Sequence, residues 1–136
     1  LILCSPLERR FSAIHHPSYE EFYERVLGVT RDPVEAWDLF VEDFAHRPEY
    51  IHKYRHAFAF HGTHPFFMWN STLAPRAHLG RIIFAGVKDR AVAERLGFES
   101  FARVEDAIAS VEADHGKGCS FFRPTLPPIT IYRVGA

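Results

Sequence analysis

Six of the nine histidines fall between His46 and His78, which makes imidazole the first chemistry to consider. Its ordinary pKa lies near neutrality, so it can pass a proton, ligate a metal or donate a hydrogen bond to an anion. His52 and His56 stand four residues apart and therefore share a helix face. That spacing binds zinc in metalloprotease helices, where a Glu follows the first His; here Lys53 stands in its place, and the pair reads as solvent-facing. His61 and His64 bracket Gly62, which lets the chain turn into another helix. The unpaired N–H groups of a helix start attract a carboxylate or phosphate. Two imidazoles beside such a site could donate hydrogen bonds or exchange protons. The alternative is a pair of histidines that cap or pack at the junction.

Other candidates are weaker. Gly116-Lys117-Gly118 is too short for a phosphate loop, and neither Ser nor Thr follows the Lys. Cys4 and Cys119 sit among apolar residues and read as inert buried thiols. Asp43 with His46, and Asp38 with Glu42, read as solvated helix charges. No nucleophile elbow, dinucleotide-binding glycine pattern or complete local metal-ligand set occurs. The chain therefore holds no complete active site; if it belongs to an enzyme, it forms one wall of a cleft.

The elements that must position these side chains follow from periodicity and punctuation. Residues 1–4 are an apolar run ended by Ser5-Pro6, a buried strand. Ser18-Tyr19-Glu20-Glu21 has the form of a capping box. Tyr19, Phe22, Tyr23, Val26 and Leu27 follow at helical spacing, and Gly28 supplies a left-handed stop. Asp32-Pro33 opens a second helix with Trp37, Phe40, Val41 and Phe44 as its stripe. Pro48 starts a third, with Ile51, Tyr54 and Phe58 on one face up to Gly62. Thr63 or His64 caps a fourth, lined by Phe66, Trp69, Leu73 and Ala77, which Pro75 must kink or shorten. Residues 82–87 are continuously apolar, as in a strand covered on both faces. Asp89 caps a short helix stopped by Gly97, and Val104, Ile108 and Val111 mark another. Residues 119–122 read as a second core strand, 125–128 as a rigid extended turn and 129–134 as a closing strand. Strands interleaved with helices predict an α/β fold. Its mostly parallel central sheet is flanked by helices, with a run of consecutive helices after the first strand.

With 136 residues the chain is one domain's worth, and residues 1–136 read as a single α/β domain. Apolar residues make up 47% and charged residues 24%, the profile of a soluble globular protein. Formal net charge is −1, so the basic excess of a nucleic-acid binder is missing and a small-molecule partner is favoured. No run is long enough to span a membrane, and no signal peptide opens the chain. Two distant cysteines make no disulfide framework, which points to the reducing cytoplasm. The chain begins Leu1-Ile2-Leu3-Cys4-Ser5 without a Met, which predicts the C-terminal piece of a longer protein.

Three stretches carry a family resemblance. They are Leu1-Ile2-Leu3-Cys4-Ser5-Pro6 with His16-Pro17-Ser18-Tyr19-Glu20-Glu21-Phe22-Tyr23; Tyr54-Arg55 running into Phe60-His61-Gly62-Thr63-His64-Pro65-Phe66; and Arg81-Ile82-Ile83-Phe84-Ala85-Gly86 with Arg95-Leu96-Gly97-Phe98 and Val104-Glu105-Asp106-Ala107. Together they resemble the C-terminal domain of the nickel-pincer lactate racemase family over nearly the whole chain. The resemblance implies a two-domain enzyme with its active site between the domains. The upstream catalytic domain would hold the nickel-pincer nucleotide, a nickel-ligating His and the two proton-exchanging histidines, leaving this chain no catalytic residue or metal ligand of its own. Family chemistry is racemisation or epimerisation of a 2-hydroxy acid by hydride transfer to and from the pincer ring. On this resemblance His61 and His64 line the cleft, with Arg55, Trp69 and Asn70 beside them, and Arg55 pairs with a substrate carboxylate or cofactor phosphate. The family places an amide and a Lys where this chain has His64-Pro65-Phe66-Phe67-Met68-Trp69-Asn70, so the resemblance is to a divergent branch. The rival expectation is a ligand-binding or assembly module of the same fold without turnover.

Overall fold

The computed structural model describes residues 1–123; the turn expected at 125–128 and the strand expected at 129–134 lie outside the described residues. Three short strands, β1 (Ile2–Cys4), β2 (Ile83–Ala85) and β3 (Glu99–Phe101), form one sheet in the order β1-β2-β3. Both pairings are parallel, with Ile2 opposite Ile83 and Ile83 opposite Glu99. Parallel neighbours require crossovers. A helical block joins β1 to β2 and one short helix joins β2 to β3. This is the α/β architecture expected, with the helix run after the first strand.

That block contains α1 (Tyr19–Glu21), which passes directly into a π-helical turn (Phe22–Val26). Next come α2 (Pro33–Ala45), α3 (Pro48–His56), α4 (His64–Asn70) and α5 (Leu73–His78); α6 (Arg90–Leu96) and α7 (Val104–His115) follow β2. Asp32 caps α2 as expected, its carboxylate accepting from Val34 and Glu35 N–H at 2.8 and 2.9 Å. Asp89 likewise accepts from Ala91 N–H at the start of α6, and Gly97 ends that helix at φ +74°. Pro75 has no N–H to give the Ser71 carbonyl four residues back, and the expected fourth helix is accordingly split at Ser71-Thr72 into α4 and α5.

Several local expectations are corrected. The Ser18 hydroxyl is buried without a hydrogen-bond partner, so no capping box forms. Glu21 is drawn instead to Arg47 at 2.6 Å, Tyr50 at 2.5 Å and Arg25 at 3.1 Å. Gly28 does not adopt a left-handed conformation. It is required by crowding, since a Cβ there would stand 2.6 Å from the Glu24 carbonyl oxygen. Gly62 is likewise a packing glycine, its virtual Cβ 2.6 Å from Phe44 O and 2.7 Å from Tyr50 Cδ2. Helix α3 stops at His56 and buries Tyr50, leaving Phe58 95% exposed at φ +52°. Residues 119–122 are not a strand, with Phe122 75% exposed. The run is short and interrupted by Ser120, and so brief an apolar stretch fixes no conformation by itself. Cys4 is exposed; it lies at the end of β1, which among the described residues is an edge strand.

Two apolar clusters hold the fold. The larger joins the π turn to α2, α3 and α4 through Phe22, Val26, Leu27, Ala36, Phe44, Tyr50, Phe66 and Trp69. Phe66 is its centre, meeting Phe22 edge-on at 4.9 Å and Phe44 at 5.0 Å. The smaller packs α7 on the sheet through Ile83, Ala85 and Ala107. No helix among the described residues is long and apolar enough to cross a membrane.

Candidate functional site

His64 opens α4 and faces the segment that leads into α1. Its Nδ1 lies 2.9 Å from the Tyr19 hydroxyl, 45 residues away in sequence. His16 completes a knot of four rings. It stacks on Phe60 with centroids 4.7 Å apart, meets Tyr19 edge-on at 4.8 Å and lies 5.7 Å from His64. Phe60 also stacks on His64 at 4.2 Å, and its backbone N–H donates to the His15 carbonyl at 2.8 Å. That backbone bond clamps the 57–63 loop to the 7–17 loop and sets the two histidines side by side.

The knot is polar and partly dry. Burial, with the nearby His16, holds His64 below the ordinary imidazole pKa. Burial raises the Tyr19 phenol above its ordinary value. Both groups are therefore neutral at pH 7, joined by one hydrogen bond whose direction follows the His64 tautomer. His16 Nδ1 is buried with no partner, an unmet hydrogen-bonding group of the kind native interiors seldom leave. Tyr19 also borders an apolar crevice of about 160 Å³, lined by Phe11, Phe22, Pro65, Met68 and Leu96 among others.

The expected site residues divide. His61 and His64 share no ring contact. His61 belongs to a second group, edge-on to Tyr54 at 5.2 Å, with its Nδ1 2.9 Å from Thr63 Oγ1. Thr63 N–H also points at that same Nδ1, at 3.3 Å. The helix start between them offers no anion site. Thr63, His64 and Phe66 N–H groups donate to His61 Nδ1, His61 O and Thr63 O, and Pro65 has none. Trp69 is a core residue whose indole N–H donates to the Arg31 carbonyl at 3.2 Å. Asn70 has its Oδ1 buried without a partner. Arg55 is exposed and makes no ion pair among the described residues. Residue types alone did not single out His16 and Tyr19. The available signal was the adjacency of His15-His16-Pro17 to a helix start.

Comparison with protein-family models, with curated proteins and with solved structures finds no match to this chain.

Proposed function

We propose that the chain is the C-terminal domain of a racemase or epimerase resembling the nickel-pincer lactate racemases, acting on a small 2-hydroxy acid. One observation carries the reading most. The Tyr19–His64 hydrogen bond unites two of the three sequence stretches that bear the family resemblance, at a spot with an unmet His16 nitrogen and a small apolar crevice. Such a spot suits a ligand with one polar end and a short carbon chain.

The donors on this chain fit contacts to a bound nucleotide or substrate rather than ligation of its metal. Among the described residues Arg55 has no ion pair and offers its guanidinium to a carboxylate or phosphate, and His16 Nδ1 has no hydrogen-bond partner. Among the described residues no group of three or more His, Cys, Asp or Glu could hold an ion. The nickel-pincer nucleotide, when bound, supplies an acceptor for the hydride of the substrate's 2-carbon. In this reading His64 and Tyr19 hold the knot in shape, and Arg55 draws the anion in. The two free cysteines suit a reducing compartment, the cytoplasm.

The test uses the protein with its upstream domain. Arg55→Ala should raise KM for lactate by about 10- to 100-fold with a smaller change in kcat, the cost of one charged hydrogen bond. Unchanged racemisation kinetics in Arg55→Ala and in a Tyr19→Phe variant would remove the site. A second reading, an assembly module without turnover, is favoured by the exposed Phe58, Phe60, Phe67 and Met68. It wins if the intact protein shows no isomerase activity on any 2-hydroxy acid yet binds a partner through these side chains.

A further inference from the structure

His52 and His56 occupy successive turns of α3, and their ring centroids lie 4.9 Å apart with planes inclined by 48°. Two imidazoles bound through nitrogens about 2.0–2.1 Å from one ion keep their centroids roughly 4.5–5.2 Å apart, for angles of about 90–110° at the metal. The rings thus already stand at chelating separation. Apart from each other, neither has a partner among the described residues, and both are exposed. A metal would displace only water.

The surroundings are mixed. The pair lies near the C-terminal end of α3, where the helix dipole favours a cation. Glu49, one turn before His52, is held loosely by Arg47 at 4.0 Å and adds attraction. Lys53 and Arg55 on the same helix oppose it, which keeps the affinity modest.

We propose that His52 and His56 form a two-imidazole clip for a borderline divalent cation of the zinc or copper type, whose other positions remain with water or an incoming carboxylate. Imidazole donors select such ions over magnesium and calcium. With two protein ligands the ion exchanges freely, so the clip is a docking point and not a structural centre. It is independent of the racemase reading.

The test titrates the untagged chain with CuCl2 and ZnCl2 by calorimetry, with copper EPR in parallel. One equivalent should bind, copper more tightly than zinc. His52→Ala and His56→Ala should each weaken it by about tenfold or more, because losing either ring breaks the chelate. The EPR spectrum should change from two equatorial nitrogens to one. Both positions are exposed and Ala is a strong helix former, so circular dichroism should be unchanged. Parental affinity in the double variant, or no saturable binding to the parent, would overturn the proposal.

Discussion

Protonating His64 costs the folded chain more than the unfolded one, because burial and the neighbouring His16 depress its pKa only in the fold. The unfolded state therefore takes the proton first. The stability His64 contributes is fully present above the ordinary imidazole pKa of about 6.5 and is lost as pH falls through its lower folded value. The unfolding temperature should drop as pH falls below about 6.5, and His64→Gln should flatten that drop; equal slopes in both proteins would refute it. Asp43 acts further into acid. Bonds from Arg47, then Arg25, bring its carboxyl from 3.8 to about 2, so its contribution holds above pH 3.8 and is lost only as pH approaches 2. Glu21 shares those partners. Burial alone pushes its carboxyl up, and the summed bonds from Tyr50, Arg25 and Arg47 outweigh that and hold it low. At this scale the sequence was only half legible. His64 could be named as a candidate from its place at a helix start. Its partner Tyr19 lies 45 residues away, and no local pattern encodes such a pair.

The helices give a sharper contrast. Asp32 and Ser18 both looked like helix caps, yet only Asp32 bonds the backbone. Asp32→Ala should cost about 1 kcal/mol in urea denaturation. Ser18→Ala should cost nothing or stabilise slightly, since its buried hydroxyl is already unpartnered. Equal losses would show that Ser18 caps in solution. Gly97→Ala should also destabilise, because φ there is +74° and Arg31 Cδ would meet the new methyl at 2.9 Å. Caps, stops and the Pro75 break were readable because their causes are local. Strand β3 was not, since Glu99-Ser100-Phe101 carries no apolar run and exists only by pairing with β2. Residues 119–122 erred in the opposite sense, since a short run of mostly apolar residues does not by itself make a strand.

Across the whole molecule, stability is concentrated in the aromatic cluster around Phe66. Phe66→Ala should cost about 3–5 kcal/mol, measured as a shift of the urea midpoint; a loss under 1 kcal/mol would show that the cluster relaxes around the gap. The α/β class was legible because helix and strand periods differ along the chain, whereas the site was not, because it forms between loops 7–17 and 57–63. The sheet also fixes an order of events. The Ile83 N–H reaches back across the whole helical block to donate to the Leu1 carbonyl at 2.9 Å, and among the described residues β1 pairs with β2 alone. Closing so long a loop is entropically slow, while the Phe66 cluster joins nearer neighbours in sequence. The helical cluster should therefore assemble first and the sheet zip last. In stopped-flow refolding, Val26→Ala should slow folding, and Ile83→Val should mainly speed unfolding. A chain emerging from the ribosome would carry Leu1–Cys4 without its β2 partner until Ile83–Ala85 had followed it out.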